Sequence, residues 1–174
     1  MNRRTRIGLF LFVVVPALLA FLYFSLPQAS FVSRNRTPEA YLFDEVSGFK
    51  LEREVTGTEA LAAVKASHMG SLKTPSDTAI GYYQEGLTIW VSKYKSAKTA
   101  NRETNRMVDA ISRFGRGFRP PEKLTINDVG VFRTYFGDSF QYFWSKEGFI
   151  IYVIPGLLGE DEVKALVGKI NGTF

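Results

Sequence analysis

Chemistry near neutral pH usually starts from histidine or cysteine, and this chain has one histidine and no cysteine. A lone imidazole, His68, cannot build a conventional zinc site without thiolates to help it. Placed just before Gly70 at the end of a predicted helix, it reads as a residue that meets the last carbonyls or packs. The missing cysteines exclude disulfides, thiolate nucleophiles and a lipidated-cysteine anchor. Serine catalysis has no Gly-x-Ser-x-Gly elbow and no spare base. Gly115-Arg116-Gly117-Phe118-Arg119 has the glycines of an anion cradle, but it follows a helix where a phosphate loop follows a strand. Glu160-Asp161-Glu162 lacks calcium-loop spacing and reads as the acidic first turn of a helix. The motifs therefore point to no catalytic residue, no metal and no cofactor, although any two of the 17 acids could still meet in space.

Binding is what remains. Phe149, Ile151 and Val153 alternate with Ile150, Tyr152 and Ile154, so both faces of that predicted strand are apolar. An earlier segment places Leu87, Ile89 and Val91 on one face and Thr88, Trp90, Ser92 and Tyr94 on the other. With helices over the first face, the second presents an aromatic surface of Trp90, Tyr94 and Tyr152, joined by Tyr142 and Trp144, or by Phe143, from a neighbouring strand. Exposed patches of this kind mark partner, lipid or ligand surfaces. A second candidate is the basic helix face Lys98, Arg102, Arg106 and Arg113, suited to acidic partners or anionic headgroups, or simply solvated.

The elements that position these residues follow from periodicity. Phe49–Val55 is a weak strand, and Thr58 caps a helix running to about Met69. Thr78–Gln84 and Leu87–Tyr94 form a hairpin through Glu85-Gly86. Ala100, Thr104, Met107, Ile111 and Phe114 recur at helical spacing over Ala97–Phe114, which Gly115 ends. Val129–Phe136, Ser139–Ser145 and Phe149–Ile154 form a meander, and a last helix carries Val163, Leu166, Val167 and Ile170. The expected fold class is α+β: β-α-ββ-α-βββ-α, an antiparallel sheet of five to six strands with two to three helices on one face. Glu85-Gly86-Leu87-Thr88-Ile89-Trp90-Val91 is echoed by Glu147-Gly148-Phe149-Ile150-Ile151-Tyr152-Val153, 62 residues later. That echo suggests a duplicated hairpin-helix unit.

The N-terminal stretch is different in kind. Ile7 to Leu26 is a run of 20 uncharged residues, 14 of them Leu, Ile, Val or Phe. As a helix it is about 30 Å long, enough to span a bilayer core. Arg3, Arg4 and Arg6 precede it, so the positive-inside rule places residues 1–6 in the cytoplasm. Residues 27–38 read as a polar linker and 39–174 as an extracytoplasmic domain. The chain carries a net charge of +5, but five of its arginines lie before Pro38, and beyond that point 17 basic and 17 acidic residues cancel. A neutral domain has no general attraction for phosphate backbones, which excludes nucleic acid on charge.

The expectation is a single-pass membrane protein acting as a protein-interaction, assembly or scaffold subunit of a cell-envelope complex, through a protein partner or self-association. The alternative is a small-molecule or lipid-binding domain whose pocket is lined by Trp90, Tyr142 and Trp144. If 7–26 spans the bilayer, the full chain will stay in the membrane pellet through carbonate extraction. A chain lacking 7–26 will be released, and release of the full chain by carbonate would refute the anchor.

Overall fold

The computed structural model describes residues 36–67, 73–115 and 117–172. The expected spanning segment 7–26 and His68 lie outside those residues, and among the described residues no helix is long and apolar enough to cross a membrane. Two contacts tie the first described residue to the rest of the domain. Arg36 donates to Glu147 at 3.2 Å, and Lys93 Nζ donates to the Arg36 carbonyl at 2.5 Å. Pro38–Tyr41 then form a 3-10 turn that buries Tyr41.

The chain continues as β1 (Glu45–Val46), β2 (Phe49–Thr56), α1 (Gly57–Ser67), β3 (Asp77–Tyr83) and β4 (Thr88–Lys93). The second half contains α2 (Ala97–Phe114), β5 (Glu122–Ile126), β6 (Val129–Phe136), β7 (Ser139–Lys146), β8 (Phe149–Ile154) and α3 (Glu160–Gly172). The α+β class with an antiparallel sheet and three helices is as expected, but the sheet has eight strands, in the order β1-β2-β3-β4-β8-β7-β6-β5. The two additional strands, β1 and β5, carry little apolar signal. The first is two residues long, and Glu122-Lys123-Leu124-Thr125-Ile126 is mostly polar. Their loops are the better clue: Ser47-Gly48 and Asn127-Asp128 both have positive φ at two successive residues, the twist that two-residue hairpins require.

The helices do not share one face, as the sequence suggests; they cover both. Ile89, Val91, Ile151, Val153, Tyr142 and Trp144 pack with Val163, Leu166, Val167 and Ile170 of α3 and with Tyr41. On the opposite face α1 lays Ala60 over Val55 and Ile80, while α2 lays Ala100 and Met107 over Phe143 and Ile150. Two covers are needed because central β8 is apolar on both sides and its partner β4 adds Trp90 to the second of them.

The echo is half geometric. Trp90 and Tyr152 correspond in the two stretches, and they are also direct cross-strand partners where β4 pairs with β8. The hairpins are thus related about that pair. The following helices are not, since α2 packs on the Trp90 face and α3 on the other.

Ile151 is fully buried at the centre of the sheet, whereas Leu157 is 73% exposed. Ile151→Ala will cost roughly 2–5 kcal/mol in urea unfolding, through lost burial and the cavity left behind. Leu157→Ala will stay within about 0.5 kcal/mol of the parent chain. Equal effects would contradict this core.

Candidate functional site

The two helices on the Trp90 face stand apart. α1 packs on β2 and β3, and α2 packs on β7 and β8, so the sheet centre between them has no helix above it. The gap is a cavity of about 380 Å³. Its floor is Trp90, Ser92, Ile150, Tyr152 and Ile154. Its walls are Val64 and Ser67 of α1 and Met107, Ala110 and Ile111 of α2. Tyr94 and Gln141 complete the lining, with Phe118 and Phe136 at the end nearest the β6–β7 turn.

Local sequence explains how each wall is held. Ser96 caps α2 by accepting from the Thr99 N–H at 3.2 Å, and Ser145 of β7 donates to Asn101 at 2.6 Å, which pins the helix to the sheet. On the floor, Phe143 stacks on Tyr152 with ring centroids 5.8 Å apart, and Trp90 meets Tyr152 at 6.5 Å. The Tyr152 hydroxyl donates to Gln141 Oε1. Phe118 packs against Phe136 at 4.8 Å, and Phe136 and the nearby Phe114 remain exposed, giving this end an apolar rim.

The five aromatic candidates divide between the faces. Trp90, Tyr94 and Tyr152 line the cavity together. Tyr142 and Trp144 do not, because the β7–β8 register pairs Tyr142 with Val153 and Trp144 with Ile151 and buries both beneath α3. Phe143 is the β7 aromatic that belongs on the Trp90 face. Sequence reasoning missed Val64, Met107, Ala110 and Ile111 as lining; of these, Met107 and Ile111 read as part of the helical apolar stripe. Their signal was an apolar stripe on α2 longer than its contact with the sheet.

The basic candidates Lys98, Arg102, Arg106 and Arg113 all lie exposed along α2. Two of them also turn inward. Glu103 is 0% exposed, and its carboxylate receives Arg102 Nε at 3.3 Å, Arg106 Nη1 at 3.2 Å and the Lys73 backbone N–H at 3.4 Å. A buried carboxylate needs such partners, so half of the basic face is structural. Glu160 and Asp161 do open a helix, and Glu160 accepts from Arg133 at 2.6 Å.

Compared with protein-family models, curated proteins and solved structures, the chain matches none.

Burial pushes the Tyr94 hydroxyl up to about 12, with the Glu103 charge adding to it, and burial likewise raises Tyr83 to about 12 and Tyr152 upward. Each folded value exceeds the ordinary tyrosine value of 10.0. The neutral forms thus favour folding fully below that value, and this contribution is lost as pH climbs toward 12. Chemical denaturation from pH 8 to 11.5 will show stability flat to about pH 9.5 and falling above it. A flat profile to pH 11.5 would contradict buried neutral tyrosines.

Proposed function

We propose that this chain is a membrane-tethered extracytoplasmic binding domain that holds a small apolar molecule or lipid chain between α1, α2 and the sheet. The carrying observation is the 380 Å³ cavity itself. It falls in the size range of ligand pockets and has their composition, apolar walls with a few polar groups. The cavity is open at its Phe136 end and admits water, but apolar walls gain little from water. An apolar guest would displace that water favourably.

Residues 7–26 supply the tether in this reading, with the N-terminus in the cytoplasm and the domain outside the membrane. The proposal includes no catalytic step. A second reading, an assembly or scaffold subunit of a cell-envelope complex, draws on the apolar rim, where Phe114 is 66% and Phe136 51% exposed.

One substitution separates the two. Ala110 lines the cavity from α2, so Ala110→Trp fills the space while leaving Phe114 and Phe136 in place. Ligand binding will fall more than tenfold, with the circular dichroism spectrum unchanged. Unaltered ligand affinity would refute the cavity as the site. Loss of a captured protein partner in Phe114→Ser and Phe136→Ser, but not in Ala110→Trp, would favour the scaffold.

A further inference from the structure

The polar atoms left over in a cavity wall constrain what can occupy it. Ser67 donates to the Val64 carbonyl at 2.9 Å, and Ser92 accepts from Thr78 at 3.5 Å, so neither stands idle. Trp90 Nε1 has no acceptor, but it is sealed within protein and closed to a guest. Tyr94 differs. The residue is only 7% exposed and its ring lies in the wall, yet its hydroxyl has no hydrogen-bond partner among the described residues and is not among the sealed atoms. Gln141, also 7% exposed, has its carbonyl oxygen engaged by Tyr152, leaving its amide N–H group without an acceptor.

These two groups stand at opposite ends of the floor. Tyr94 follows the end of β4, where its backbone N–H donates to Gly148 at 2.7 Å, beside the β7–β8 turn. Gln141 lies two residues into β7 from the β6–β7 turn, near the Phe118–Phe136 rim. β8 runs from one end to the other, about 17 Å for its six residues. Among the described residues, no Lys, Arg, Asp or Glu lines the cavity. An ionised headgroup inside it would find no opposite charge among these lining residues.

We infer that the ligand is an elongated, uncharged apolar molecule bearing an alcohol or carbonyl oxygen, which takes a hydrogen bond from the Tyr94 hydroxyl while its tail points toward Phe118 and Phe136. This rests on the cavity reading and adds to it the charge, the shape and the oxygen. At about 30 Å³ per water-sized group, 380 Å³ holds roughly a dozen heavy atoms. An eight- to ten-carbon chain with its oxygen fits that space.

The test uses the full chain in lipid nanodiscs, with empty nanodiscs as the partition reference. Octane, 1-octanol and octanoate at pH 8 are titrated into the parent chain and Tyr94→Phe, following the Trp90 indole NMR signal. The hydroxyl meets no partner among the described residues, so Tyr94→Phe should keep or raise the thermal midpoint, unlike the loss of a structural hydrogen bond. The expected result is octanol binding about three- to tenfold weaker in Tyr94→Phe with octane unchanged, and octanoate weakest of the three in the parent chain. Equal octanol affinity in the two proteins, or octanoate binding tightest, overturns the assignment of a neutral oxygen at Tyr94 while leaving the cavity standing. Failure of the parent chain to bind any of the three overturns the cavity reading, and this inference with it.

Discussion

The structure turns on the antiparallel pairing of β4 with β8 in the middle of the sheet, where β8 is apolar on both faces and β4 places Trp90 between buried Thr88 and Ser92 on its second face. Such a pair cannot leave either side in water, so the domain must be three layers deep at its centre. One layer is α3 with the Tyr41 turn, which closes over Ile89, Val91, Ile151 and Val153. On the other side the cover is split between α1 and α2, each anchored on an outer part of the sheet. The cavity is the remainder of that division of labour. It sits over the middle of that face, walled by α1 on one side and α2 on the other.

The polar interactions around α2 show why that helix stays to one side. Asn101 takes the Ser145 hydroxyl from β7, and buried Glu103 gathers Arg102, Arg106 and the backbone at Lys73. Charged hydrogen bonds to a buried carboxylate depend strongly on geometry, since displacement would leave that charge unpaired in an apolar surround. A shift of α2 toward the sheet centre would break the two contacts that leave the helix, Asn101 with Ser145 and Glu103 with the Lys73 N–H. Arg102 and Arg106 belong to α2 and keep the Glu103 charge paired wherever the helix sits.

How much was legible in the chain depends on how local the signal was. α2 begins and ends where Ser96 and Gly115 indicate, because caps act within one turn. The two faces of β8 follow from strict alternation. β1 and β5 were not legible because edge strands with polar residues have no apolar period to detect. For the β7 contribution to the Trp90 face, Tyr142 and Trp144 stand beside Phe143 as alternatives, which strand parity separates. Which parity faces which helix depends on register, and the Phe143–Tyr152 and Trp144–Ile151 pairs resolve it.

The residues alone determined what is additive or local: a domain whose charges cancel after Pro38, the lack of any thiol, six of the eight strands, the helices and most of their ends. They also determined that β8 carries apolar side chains on both faces. Only the tertiary structure decided that β4 and β8, 62 residues apart in the echo, lie side by side, and that α3 takes one face while α1 and α2 share the other. The reason is physical. A side chain's periodicity states which neighbours along the chain share its face, but the space between two helices depends on where each is pinned, and that is a property of contacts between distant segments.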